Sequence, residues 1–244
     1  MLRADALQPW KLDDESVDCI VTSPPYYGLR KYGDDPAEHG KEPTLLDYLR
    51  NVQTWTNEAQ RVLKDTGTFW LNIGDTQAGS GGAGGDHGPG GSKSDIPKYR
   101  QGNTGLPAMN ACLIPQRVSI QLQADGWIVR RFIIWDQKQQ RREDPRHVRR
   151  PRFQHEAIIM AVKSRKYRYF HEREVEPGDV WHFAPDTTKR RRHFAPYPAE
   201  LPKRCILLST EEGDLVLDPF AGSGTTVDVA EELDRVAIGM DLYA

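Results

Sequence analysis

The sequence predicts an α/β fold built on a largely parallel sheet. Two observations carry that expectation. Short apolar runs of strand length alternate with stretches of helical periodicity, and two of the strand-like runs stop at turns rich in proline or glycine. The chain has 244 residues, 38% of them hydrophobic, which supports one sizeable core and leaves too little for a second unless it is small.

Taken in order, residues 16–21 (SVDCIV) read as a buried strand stopped by TSPPYYG. Residues 45–63 place Leu45, Leu46, Leu49, Val52, Trp55, Ala59, Val62 and Leu63 at helical spacing. Residues 68–73 (TFWLNI) form a second strand closed by Gly74-Asp75. Residues 78–105, within a loop of about 77–107, are rich in Gly and Ser and nearly free of large apolar side chains, so a mobile loop is expected there. A helix over 114–124 and a strand over 128–135 follow, then a strand over 157–162 and a short one over 167–170. The chain closes with a helix over 197–210, a strand over 215–217, the turn DPFAGSGTT, a helix over 227–233 and a strand over 236–240.

Composition excludes several classes. No run of eighteen apolar residues exists to span a membrane, and MLRADALQPW lacks the basic and apolar regions of a secretory signal. Cys19, Cys112 and Cys205 lie far apart, so neither a disulfide framework nor a zinc site is expected, and a reducing cytosol fits. The net charge of −2 hides an asymmetry: residues 130–192 carry 18 Lys and Arg against 9 Asp and Glu, and the remainder carries 15 against 26. A basic middle in an acidic chain points to a polyanion-binding face, although a merely solvated surface has the same charge.

Two turns carry the chemistry. VLDPFAGSGTT lies between a strand and a helix, where an open α/β sheet binds a nucleotide-like ligand. Gly222 and Gly224 allow close backbone approach and torsions that side chains forbid, and Thr225 and Thr226 can donate hydrogen bonds at the helix start, whose N–H groups favour a carboxylate. Asp241 ends the next strand, where an acidic residue can grip ribose hydroxyls. Val227 occupies the last glycine position of GxGxxG, and no GxxxxGK[ST] occurs, so a dehydrogenase fingerprint and a P-loop are excluded. The second turn, Thr22-Ser23-Pro24-Pro25-Tyr26, uses two prolines to fix the backbone and turn carbonyls outward. Ser23 adds a hydroxyl and Tyr26 a flat face for a stacked base. Either turn alone also fits a purely structural role; together, at strand ends, they suit a planar amine-bearing substrate.

TSPPYYGLR followed much later by VLDPFAGSGTT resembles the beta group of amino-group DNA methyltransferases, the N4-cytosine and N6-adenine enzymes. GTFWLNIGD, GWIVRRFIIW and HFAPYPAEL resemble further family segments, so the likeness spans nearly the whole chain. It implies a Rossmann-like methyltransferase fold with circularly permuted motif order: residues 1–137 as the catalytic half, 138–192 as a basic target-recognition insertion and 193–244 as the cofactor-binding half. The cofactor implied is S-adenosyl-L-methionine, with no metal. Ser23 and the Pro24 carbonyl would accept hydrogen bonds from the target amine, with Pro25 completing the turn and Tyr26 stacking on the flipped base. Asp218, Phe220, Gly222, Ser223, Gly224 and Thr225 would line the cofactor pocket. Asp241 would hold the ribose, Asp5 would lie near the adenine, and Phe194 would close over the methionine part.

Double-stranded DNA would be met by Arg141, Arg142, Arg146, Arg149, Arg150 and Arg152, beside the Lys-Arg-Arg-Arg run at 189–192. The resemblance implies the cytosol of a bacterial or phage-infected cell, and leaves a homodimer and a cognate restriction endonuclease open as partners. Ser in the first position of SPPY favours N4 of cytosine over N6 of adenine. Carbon-5 methylation is excluded, because no cysteine stands beside a proline as nucleophile. Two readings from other classes stay open: a decayed methyltransferase that only binds DNA, and an amino methyltransferase acting on RNA or protein. The recognition region is short for high specificity. The sequence ends three residues after Asp241, before the helix the family usually carries there, which implies weak activity.

Overall fold

The computed structural model describes residues 1–29, 35–79, 103–137, 149–151, 153–185 and 197–244. Eight strands form one sheet: β1 (Leu2–Arg3), β2 (Val17–Thr22), β3 (Leu63–Ile73), β4 (Ile128–Asp136), β5 (His155–Val162), β6 (Val180–His182), β7 (Leu215–Asp218) and β8 (Val236–Asp241). Their order across the sheet is β1-β8-β7-β2-β3-β5-β4-β6. Every neighbouring pair is parallel except those made by β5, which runs antiparallel to both β3 and β4. The expected Rossmann-like, largely parallel α/β architecture is therefore present.

Alternation along the strands sorts the core into two layers, because successive side chains point to opposite faces. Ile20, Phe69, Leu71, Ile73, Ile159 and Leu217 face α1 (Leu45–Val62) and α2 (Ile114–Ala124). Cys19, Val21, Trp70, Ile158, Met160 and Val216 face α3 (Glu200–Ser209) and α4 (Thr225–Glu232). Helix α1 starts at Thr44, whose side chain accepts from the Asp47 N–H, and buries Leu45, Tyr48, Val52, Trp55, Ala59 and Val62 at three- and four-residue spacing. Helix α2 has no side-chain cap of its own. Asp75, just past β3, accepts instead from the backbone N–H groups of Leu113 (3.1 Å) and Ile114 (3.0 Å). All three cysteines are buried free thiols.

Several elements differ from the sequence expectation. Strand β3 begins at Leu63, directly after α1, because Leu63 already pairs with Val17; the ladder then passes an irregularity and resumes at Thr68. Residues 167–170 are not a strand. That segment crosses the sheet's amino edge, where the Arg168 guanidinium meets the buried carboxylate of Asp18 and that of Asp214, each at 2.8 Å. Helix α3 starts at Glu200 and not 197, because Tyr197 turns inward to Asp218, and α4 starts two residues before 227. The short strands β1 and β6 carry too few residues to show a period. Most of the glycine-rich loop, Phe194, Arg141, Arg142, Arg146 and Arg152 lie outside the described residues. Among the described residues, no helix is long and apolar enough to cross a membrane.

Just before β6, Glu176 accepts from the His182 backbone N–H at 2.8 Å, meets its ring Nδ1 at 2.5 Å and lies 3.3 Å from Arg204. These donors, the backbone N–H first, hold its carboxyl at about 2 against an ordinary 4.5. A depressed acid stabilises the fold above its unfolded value and loses that contribution as pH falls through the folded one. Glu176→Gln is accordingly expected to lower the melting temperature at neutral pH, the deficit closing between pH 4.5 and about 2. Thermal melts of both proteins across that range provide the check; a pH-independent deficit would show that the contact is not electrostatic.

Candidate active site

The strand order diverges at β2: the chain leaves β2 for β3 on one side, and β7 leads to β8 on the other. Such a switch point opens a crevice at the carboxyl ends of the strands, and both turns singled out in the sequence lie there. Strands β2 and β7 are hydrogen-bonded neighbours, so Thr22 and Asp218 end side by side. Thr22 Oγ1 donates to Asp218 Oδ1 at 2.7 Å. Asp218 also accepts from Thr226 Oγ1 (2.6 Å), the Tyr197 hydroxyl (2.9 Å) and the Phe220 N–H (3.0 Å). Tyr197 and Thr226 contact each other as well. Burial raises the Asp218 pKa, and the hydrogen bonds from Thr226, Thr22, Phe220 and Tyr197 oppose that shift. Both Asp218 oxygens thus face protein donors beneath the glycine turn, which makes this carboxylate a tie between the two turns more than a direct ligand contact.

The glycine turn has the backbone that its residues call for. Gly222 and Gly224 have φ of +51° and +88°, where a side chain is strained, and Gly224 immediately precedes α4. Gly222 N–H donates to Asp241 Oδ2 at 3.1 Å, which sets the Asp241 carboxylate at the lip of the turn. Asp5 lies beside it, because Ala4 N–H donates to the Asp241 carbonyl at 3.0 Å and Asp5 Oδ1 accepts from Leu7 N–H at 2.9 Å. Ser223 and Thr225 stand 3.4 Å apart through their hydroxyls. Phe220 turns inward, its ring edge-on to Trp55 at 5.3 Å and tilted to His39 at 5.6 Å. A glycine turn in which Gly222 is half-buried and Gly224 buried, flanked by carboxylates at two strand ends, fits a ligand with an adenosine diol and a charged tail.

The proline turn forms the other half. Pro24 is buried, whereas Ser23, Pro25 and Tyr26 are half-buried. The Pro25 carbonyl accepts from Tyr48 at 3.2 Å; among the described residues no donor reaches the Pro24 carbonyl. Ser23 Oγ donates to Asn72 Oδ1 at 3.2 Å. The Tyr26 hydroxyl lies 2.7 Å from Glu156 Oε2 and 3.2 Å from Asn72 Oδ1. The Tyr26 ring packs on Gly74, where a Cβ would sit 2.5 Å from Cε2. Beyond it opens a cleft of about 250 Å³ lined by Tyr26, Gly74, Phe132, Phe153, His155 and Glu156, among others. The Arg150 guanidinium lies over Phe153 at 4.6 Å, so the end of the basic segment reaches the cleft rim; Arg149 beside it is exposed.

Asn72, Gly74, Glu156 and Tyr197 were not singled out from the sequence. Asn72 carried a usable signal, since it is a fully buried polar residue within the apolar run 69–73, and Glu156 a weaker one, directly before the apolar run 157–162. Gly74 reads locally only as the close of a strand and Tyr197 only as the start of a helix, because their partners Tyr26 and Asp218 lie far away in sequence.

The family model for N6 and N4 enzymes, described as DNA methylase, matches residues 17–244. The type II methyltransferase M.SmaI of Serratia marcescens is 37% identical over 243 residues, covering 95% of this chain and 82% of that protein. M.Cfr9I of Citrobacter freundii, also a type II methyltransferase, is 39% identical over 257 residues, covering 99% and 83%. Among solved structures, the PvuII DNA methyltransferase (cytosine-N4-specific) aligns with a TM-score of 0.73 at 20% identity, covering 98% of this chain and 80% of that one. A putative DNA modification methylase from Thermus thermophilus, complexed with S-adenosyl-L-methionine, aligns with a TM-score of 0.64 at 22% identity, covering 95% and 82%. With the family match spanning nearly its whole length and both turns meeting at one crevice, this chain belongs to the N6/N4 DNA methylase family.

Proposed function

We propose that this chain transfers a methyl group from S-adenosyl-L-methionine to the exocyclic amine of a flipped DNA base, N4 of cytosine in preference to N6 of adenine. The observation that carries this reading is the Thr22–Asp218 hydrogen bond, which joins the Ser23–Tyr26 turn to the glycine turn at one crevice. Two supports favour cytosine: Ser in the first position of the turn, and the cytosine-N4 specificity in the name of the PvuII structure.

The chain's residues divide the work. S-adenosyl-L-methionine, when bound, supplies an electrophilic methyl group. Gly222, Ser223, Gly224 and Thr225 cradle its charged tail, Asp241 and Asp5 take the ribose and adenine end, and Phe220 backs the turn. Phe194 is assigned to the methionine part from the sequence alone. An exocyclic amine is a poor nucleophile, because its lone pair is delocalised into the ring. Ser23 Oγ and the Pro24 carbonyl accept hydrogen bonds from its N–H groups, favour a tetrahedral nitrogen and aim the lone pair. Tyr26 holds the ring plane. The rate gain rests on orientation and fixed dipoles, without covalent enzyme chemistry. Flipping the base costs a few kcal/mol, and the basic segment ending at Arg149 and Arg150 offsets it through phosphate contacts. The type II names of the relatives make a restriction endonuclease of the same site the expected genetic partner.

Incubation with labelled S-adenosyl-L-methionine and mixed-sequence duplex DNA, then nucleoside digestion and mass spectrometry, tests this reading. N4-methylcytosine is the expected product. N6-methyladenine would retain the chemistry and overturn the use of Ser23 as a guide to the base; unlabelled DNA, with no cofactor binding, would favour a decayed DNA-binding protein.

A further inference from the structure

We propose that Glu156 and Asn72 fix the direction of the hydrogen bonds reaching Ser23, so that Ser23 meets the target amine as an acceptor only. This rests on Ser23 contacting that amine, as argued above. A serine hydroxyl has one proton and can donate or accept. Toward an amine it must accept, so the destination of its proton decides whether the site works.

The destination is set by groups that cannot donate. Asn72 Nδ2 lies 3.1 Å from the Ala157 carbonyl and 3.4 Å from Glu156 Oε2, one a pure acceptor and the other a carboxylate. Its amide nitrogen must face them, which turns Oδ1 toward Ser23 and Tyr26. The flipped amide would set oxygen against oxygen on one side and lose the acceptor for Ser23 on the other, so chemistry fixes the orientation. The Ser23 proton is then spent on Asn72, and the Tyr26 proton is drawn to Glu156 at 2.7 Å. The remaining Ser23 lone pairs are left for the target amine. Low local polarity strengthens such a chain, since Asn72 is 1% exposed. A site polarised this way accepts from an amino group and repels a carbonyl in the same place, so it selects cytosine or adenine over thymine. Asn72 and Glu156 are positioning residues, acting through Ser23 and Tyr26.

The test is a double-mutant cycle in single-turnover methyl transfer, with cofactor affinity measured alongside. Asn72→Leu is expected to slow transfer by about 30-fold when Ser23 is present and by less than about 3-fold in the Ser23→Ala background, with cofactor affinity unchanged. An equal fold loss in both backgrounds would overturn the proposal and leave Asn72 a structural residue. Should Asn72→Leu fail to fold, Glu156→Gln serves. Its expected loss of about 10-fold shrinks to less than about 2-fold when Ser23→Ala and Tyr26→Phe are combined, and an undiminished loss overturns the proposal. A Ser23→Ala variant at full rate would remove the assignment of Ser23 itself, whereas a slow one with additive Asn72→Leu would sink only the present inference.

Discussion

Gly74→Ala lowers single-turnover methyl transfer by about 100-fold or more and leaves cofactor affinity within about 2-fold. Gly74 does not have the left-handed backbone that alone requires glycine, so the constraint there is space. An added Cβ would lie 2.5, 2.8 and 3.2 Å from Tyr26 Cε2, Cδ2 and Cζ. The ring cannot retreat freely, because its hydroxyl is bound to Glu156 and Asn72. It must move into the cleft, where the base is to stack. A displacement of about 1 Å in a positioning group costs on the order of 100-fold in rate. The glycine turn is built by other residues, so cofactor binding is spared. Rapid-quench transfer with equilibrium cofactor titration measures both quantities. A full-rate Gly74→Ala protein would show that Tyr26 is not the base platform.

Asp218→Ala acts through stability. It removes the acceptor of Thr22, Thr226, Tyr197 and the Phe220 N–H at a buried position. A buried donor left unsatisfied costs about 1–3 kcal/mol, and partial relaxation brings the expected total to roughly 3–5 kcal/mol. Cofactor affinity falls as well, because the turn from Phe220 to Thr226 loses its anchor. Asp218→Asn lies between, since it keeps the volume but turns an amide N–H toward donors. Urea denaturation gives the first quantity and cofactor titration the second. A loss below about 1 kcal/mol would mean that water replaces the carboxylate, and that the two turns are not tied through it.

Much of this was legible in the sequence. Strand β2 with its proline turn, and β7 with its glycine turn, were readable because short apolar runs stop at residues with restricted or unusual torsions. Gly222, Gly224 and Asp241 came with them, since the backbone of that turn is written locally. What stayed hidden depends on partners distant in the chain. Tyr197 reads as the start of a helix until Asp218 draws its hydroxyl inward. Residues 167–170 read as a strand by residue type, yet Arg168 is held by Asp18 and Asp214 and the segment joins no ladder. Glu156 stands 130 residues from the tyrosine it binds. The antiparallel course of β5 brings them together, and no local pattern encodes that pairing.

The most direct test of the central assignment is single-turnover transfer from labelled S-adenosyl-L-methionine to duplex DNA by the Tyr26→Ala protein, beside its cofactor affinity. Normal cofactor binding is expected, with loss of transfer by at least about 100-fold. Transfer near the wild-type rate would contradict the assignment, and would place the reacting base somewhere other than the cleft lined by Tyr26.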